Sequence, residues 1–285
     1  MSQTAAARET TTQAPLVAGR AAERAGVDVR ELRELPDMQA VSDLFDAVWT
    51  DPTQTIMPVN LIRALSSAGA YVAGAFLDGR MVGAIVGFVG LHHGRVVVHS
   101  HILGVLPETR GRSVGFALKQ HQRAWCLERG IDTVLWTFDP LVRRNAYFNL
   151  CKLGAIGDRY EPNFYGPMSD GINAGDETDR LVIRWRLRDA RVLAAAEGRT
   201  ATPGGEDGVV LLDEDADGRP RAVPADGATL RCRVPEDILR IRAADPHLAL
   251  QWRHALRDTL GAAVTDGYTA TGMDRAGWYV LTRAS

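Results

Sequence analysis

Arg110, Gly111, Arg112, Ser113 and Gly115 fall within six residues of one another, and together these residue types suit the binding of an anion such as a phosphate. The first backbone N–H groups of a helix lack internal partners and lie at the positive end of its dipole, so a phosphate there accepts from several at once. Gly111 and Gly115 take side chains out of its path, Ser113 can cap or donate, and the two arginines add fixed charge that forks onto phosphate oxygens. The alternative reading of the same residues is an ordinary strand, turn and helix with solvated arginines.

The flanking elements must place that turn at a helix start. Val96 to Leu106 is mostly β-branched or apolar, and Pro107, which cannot donate to a ladder, ends it. From Ser113, the apolar residues Val114, Ala117, Leu118, Ala124 and Leu127 recur at helical spacing, with Lys119, Gln120, Gln122, Arg123 and Glu128 as polar positions. Gly130 closes the helix.

The stretch resembles the acyl-CoA-binding core motif of the GCN5-related N-acetyltransferase (GNAT) superfamily, in which Gln or Arg, two residues, Gly, one residue, then Gly or Ala wraps the CoA pyrophosphate. The match falls on Arg110, Ser113 and Gly115, and departs at Ser113, where the family usually has Gly. The preceding VLPETRG, Val105 to Gly111, is also similar to the family's approach to this turn, and the resemblance covers about Val29 to Leu187.

The resemblance implies an α/β (mixed α+β) GNAT acyl-CoA N-acyltransferase fold that binds acetyl-CoA, or another acyl-CoA, through Arg110, Gly111, Arg112, Ser113, Val114 and Gly115. The strands at Val96 to Leu106 and Ile131 to Pro140 should run parallel and splay apart, freeing Leu103, Gly104 and Val105 to pair with the pantetheine arm. Aligned on the turn, His99 falls where histone-acetyltransferase members carry a glutamate base, and His101 lies two residues on, nominally on the same face. An imidazole titrates near neutrality, so either suits deprotonation of an amine, with satisfied core histidines as the alternative. A β-bulge, common in this strand of the family, would rotate one of them away. Asp139 is a second base candidate, against a turn-capping role, and the N–H near Val105 would serve the oxyanion. In Arg143 to Ala155 the family's usual Asn falls on Arg143 and its usual thiolate-protonating Tyr on Leu150, so Asn145, Asn149 or Tyr147 would have to substitute. Two other outcomes stay open: a different CoA-dependent acyl reaction, and a CoA-binding protein without turnover.

At 285 residues the chain exceeds the usual single domain. With 33 basic against 35 acidic residues it carries no basic field for nucleic acid and no polybasic membrane patch. Cys126, Cys151 and Cys232 lack CxxC spacing, which points to buried thiols rather than a disulfide framework or metal site and fits a reducing cytoplasm. No apolar run is long enough to span a bilayer. A small-molecule amine is the expected acceptor, no metal is called for, and a homodimer is allowed.

Along the chain, 1–27 reads as a flexible tail and 28–188 as the acyltransferase domain. Within it, Asp37 is placed to cap a helix carrying Met38, Val41, Leu44, Phe45, Val48 and Trp49 on one stripe. Asp78-Gly79 joins two strands of a hairpin. The resemblance implies that Trp49 and Met57 line the acceptor cleft, with plain packing as the equal alternative, and the loop Arg159 to Asp179 reads as a lid or acceptor wall containing Tyr160, Phe164 and Tyr165. Residues 189–207 read as a linker, and 208–285 as a smaller α/β accessory domain with helices broken at Asp245-Pro246. That domain could be a reduced copy of the same core lacking the phosphate turn, or a capping or dimerising module.

Overall fold

The computed structural model describes residues 3–49, 54–166, 176–200, 204–205 and 207–283. It divides into two compact units, 1–135 with 186–189, and 136–185 with 190–285.

The first unit runs α1 (Gln3–Ala25), β1 (Asp28–Glu31), α2 (Leu35–Val48), α3 (Val59–Ser67), β2 (Tyr71–Leu77), β3 (Arg80–His92), β4 (Arg95–Val105), α4 (Val114–Glu128) and β5 (Thr133–Phe138), whose second half passes into the other unit. Neighbouring strands pair in chain order, antiparallel except for the parallel β4 and β5. The β2–β3 turn has Asp78 at φ 50° and Gly79 at φ 81°, the doubly left-handed geometry that Asp-Gly favours. Helices α2 and α3 pack Met38, Val41, Leu44, Phe45 and Ile62 onto Val72, Ala84 and Val86 of one sheet face. Helix α4 covers the other, placing Val114 and Leu118 where a Cβ on Gly83 would touch them.

Three expectations for this unit change. Residues 1–27 contain α1 rather than a loose tail, because Ala14, Val17, Ala18, Ala21 and Ala25 form one buried stripe, with Ala21 and Ala25 against Ala117 of α4. Small side chains look weakly hydrophobic in sequence, yet their size lets two helices approach closely. Asp37 lies inside the first turn of α2, and Glu34 holds the cap position without a side-chain bond. Met57 is buried in the α2–α3 core, its carbonyl accepting from Ser42 Oγ, so it lines no cleft.

The second unit holds α5 (Arg143–Tyr147), which widens into a π-helical turn at Phe148–Lys152, then β6 (Ile156–Glu161), β7 (Arg180–Arg186), α6 (Ala190–Ala196), β8 (Val209–Glu214), β9 (Pro220–Ala222), β10 (Thr229–Arg233), α7 (Ile238–Ala244), α8 (Pro246–Leu256), α9 (Ala262–Thr265), β11 (Tyr268–Met273) and β12 (Trp278–Arg283). Its strands follow the order β7-β6-β11-β12-β10-β8-β9. Because Gly157 of β6 pairs with Ala270 of β11, the C-terminal strands extend the sheet begun by β6 and β7. Arg191 of α6 reinforces this by donating to the carbonyls of Leu150 and Thr271. The compact boundary therefore falls inside β5, not at 189–207, and the expected linker contains α6.

Candidate active site

The turn before α4 has the features an anion needs. Ser113 sits at the N-cap with φ 65° and ψ 20°, its side chain making no capping bond. The backbone N–H groups of Gly111, Ser113, Val114 and Gly115 have no acceptor among the described residues, whereas those of Arg110 and Arg112 bond to Pro107 and Thr109. Gly111, at φ 87°, has nothing within 4 Å of where a Cβ would stand. Arg110 and Arg112 are exposed and have no ion-pair partner among the described residues, while nearby Glu108 is taken up by Arg80 at 2.9 Å. Four free donors and two uncommitted guanidiniums fit a diphosphate.

Strand β4 leads from this turn to the imidazoles. Its ladder with β5 consists of Val98↔Val134 and His99↔Leu135 and goes no further, so on that side Ser100 to Val105 carry no ladder. Its pairing with β3 runs from Gly83↔Val105 to Val86↔Ile102 and then jumps to Gly87↔Ser100, which makes His101 the extra residue of a β-bulge. The bulge switches the alternation, so Ser100, Leu103 and Val105 face α4. His99 lies opposite Phe88 on the α2 face, with Ile102 and Gly104. At Gly104 a Cβ would come within 2.9 Å of Trp49 and 3.1 Å of Phe45; glycine is what admits α2 so close.

The bulge does not turn either imidazole away. The rings of His99 and His101 are 6.1 Å apart, and both pack beside Phe88, at 5.1 and 6.0 Å. Burial, with His101 and Lys119 adding to it, brings His99 down to about 4, and burial lowers His101 as well. Both rings are neutral at physiological pH, the form that accepts a proton.

The remaining candidates lie in the second unit, some of them bound up in its interior and others, such as Asn145, exposed. Asp139 accepts from Arg253 Nη1 at 2.9 Å and from Arg242 Nη2 at 2.5 Å. Burial alone would raise its carboxyl, but the two guanidiniums hold it well below the usual carboxylate range, so Asp139 is a structural anion and not a base. Its Oδ1 also accepts from the Leu141 N–H, which is the turn-capping role. The Arg143 guanidinium lies 3.1 Å from where a Cβ on Gly277 would stand, packed on the β11–β12 turn. Asn145 donates its backbone N–H to Val142 near the α5 start. Leu150 is fully buried, leaving no hydroxyl where the resembled family keeps its acid. Tyr160 is buried with its hydroxyl on Asp179, and only Phe164 and Tyr165 of the expected wall are exposed. Part of that loop, 167–175, lies outside the described residues.

Sequence reasoning overlooked Ser100, Lys119 and Gln122. Lys119 and Gln122 read only as polar positions of the helix, yet Lys119, Gln120, Gln122 and Arg123 are all buried, because α4 is packed between α1 and the sheet. The run of long polar residues two and three positions from apolar ones was the available signal, and it reads the same for an exposed face.

The α4 start thus sets unbonded N–H donors at the end of a strand edge that carries no ladder toward β5, an arrangement that suits an extended anionic ligand. Residues 38–151 match the sequence model of the acetyltransferase (GNAT) family. No curated protein matches it. Among solved structures it is similar to the ribosomal-protein-S18-alanine N-acetyltransferase of Escherichia coli, with 15% identity over 57% of this chain and 96% of that one, at a TM-score of 0.47. It is also similar to Arabidopsis thaliana Naa50 in complex with the bisubstrate analogue CoA-Ac-MVNAL, with 21% identity over 56% and 97% of the two chains, at a TM-score of 0.44. An aminoglycoside acetyltransferase from an uncultured soil metagenomic sample, in complex with sisomicin, has 20% identity over 40% and 78%, at a TM-score of 0.37. Among the described residues, no helix is long and apolar enough to cross a membrane.

Proposed function

We propose that the chain is an acyl-CoA-dependent N-acyltransferase that moves an acetyl group from acetyl-CoA to a primary amine by direct attack. The observation that carries this reading is the α4 start, where the N–H groups of Gly111, Ser113, Val114 and Gly115 meet Arg110 and Arg112, all without a partner among the described residues. These residues would hold the donor's diphosphate, and the unladdered edge at Leu103, Gly104 and Val105 would align its pantetheine arm as an added strand. The donor supplies an activated thioester, and the chain's residues do the rest. His99 or His101 takes the proton that the amine loses as its nitrogen bonds to the acyl carbon, directly or through one water. A main-chain N–H near Val105 donates to the carbonyl oxygen as negative charge builds there. The carbon–sulfur bond then breaks, and the departing thiolate takes its proton from solvent, since Leu150 offers none.

Calorimetric titration with CoA, followed by thiol release from acetyl-CoA over a panel of amines, tests the proposal. Binding together with amine-dependent thiol release supports it. Binding without release over the whole panel contradicts the transferase reading and leaves a CoA-binding protein.

A further inference from the structure

We propose that Lys119 is a positioning residue for the two imidazoles, acting through Ser100 at the bulge; this rests on the acyltransferase reading given to His99 and His101. Lys119 is only 3% exposed. Its Nζ donates to Ser100 Oγ at 2.8 Å and to Gln122 Oε1 at 3.1 Å. Ser100 lies between the two histidines, where two irregularities of β4 meet. The last pair with β5 is at His99, and the bulge on the β3 side is at His101. A strand that loses one ladder and slips register on the other needs a side-chain anchor to hold a single geometry.

A second observation marks the same spot. Gly87, the register partner of Ser100, is a residue whose added Cβ would lie 3.0 Å from Gln122 Nε2 and 3.0 Å from the His99 carbonyl. Glycine there leaves the room that the side chain of Gln122, the other partner of Lys119, occupies. The anchor also rises from the helix whose first turn forms the phosphate site, so one rigid element fixes both the donor end and the imidazole end of the site.

The energetics point the same way. Burial brings the Lys119 amine down to about 7, against a weaker upward pull from Cys126. The unfolded chain therefore binds this proton more tightly than the folded one. Lys119 subtracts from stability below its unfolded pKa, fully so below about 7, and the penalty lifts as pH rises between those values. A side chain that lowers stability while bracing an irregular strand belongs to function rather than to packing.

The test compares Lys119→Met, Ser100→Ala and the double variant, with side-chain ¹⁵N resonances of His99 and His101 assigned through His99→Gln and His101→Gln. The expected result is that both single variants displace the two imidazole resonances and lower kcat by roughly 10- to 100-fold, with CoA affinity unchanged. The double variant is no worse than the more severe single one. Lys119→Met, relieved of its buried ammonium, melts no lower than the parent. Unmoved imidazole resonances in both single variants, or losses that add fully in the double variant, overturn the proposal. Displaced resonances in a protein that acylates no amine sustain the positioning role and remove only the acyltransferase reading, because the resonances do not depend on turnover.

Discussion

In the first unit Arg110 and Arg112 stand exposed beside the free N–H groups of the α4 start, with no carboxylate paired to either among the described residues. In the second unit Arg242 and Arg253 close a buried ring with Asp139 and Asp176, in which the closest approach of each ion pair lies between 2.5 and 2.9 Å. The second arrangement continues through Arg257, which binds both Asp179 and Glu177. The residue type is the same in both places. What differs is whether the fold itself supplies the anion, and a guanidinium left without one beside unsatisfied donors is prepared for an anion from outside.

The comparison breaks most visibly in the second unit. Replacing one guanidinium of the ring, Arg253→Met, strands Asp139 and Asp176 with half their counter-charge in a dry interior, so we expect a loss of about 3–5 kcal/mol. Thermal unfolding measures it; a melting temperature close to that of the parent protein would mean the ring is not the structural element described here.

In the first unit the effects should fall on activity. The double variant His99→Ala/His101→Ala should lower kcat by ~10²–10⁴ while the protein still binds CoA, as steady-state kinetics alongside calorimetry would reveal. The pH dependence sharpens this. The base works as neutral imidazole, and burial holds His99 at about 4, so the rate should stay level as pH falls from neutral and drop only on approaching about 4. A pH–rate profile with its acid limb near the ordinary imidazole value would exclude His99 as the base.

The smallest effect belongs to a pair that resembles the ring only in name. Arg80 and Glu108 are 2.9 Å apart, with side chains 68% and 51% exposed. Breaking them with Arg80→Ala should change stability by no more than ~0.5 kcal/mol, measured by denaturant unfolding, because solvent screens the pair and breaking it returns the side-chain entropy that holding it costs.

What was legible in the sequence follows the same division. The strand, turn and helix around Ser113 could be read because Pro107 and Gly130 bracket a change from strand-like to helical periodicity within one short stretch. The break at Asp245-Pro246 was readable on similar local grounds, and Asp245 does cap α8, accepting from Leu248 N–H. The ring was not readable, since Asp139 and Arg253 stand 114 residues apart and nothing local couples them. Helix α1 was missed because an alanine stripe carries little hydrophobic signal and Pro15 interrupts it. Lys119 was missed for a different reason: its burial comes from the sheet face where it meets Ser100, a long-range contact that a polar position on a helix does not announce.

Calorimetric titration of CoA into the parent protein and into Gly115→Asp tests the central claim most directly, since the substitution sets a fixed carboxylate at the helix start where the diphosphate would lie. Loss of about two charge-assisted bonds predicts affinity weakened by at least ~100-fold, with thermal unfolding little changed. Equal affinity in the two proteins, or no binding in either, would contradict it.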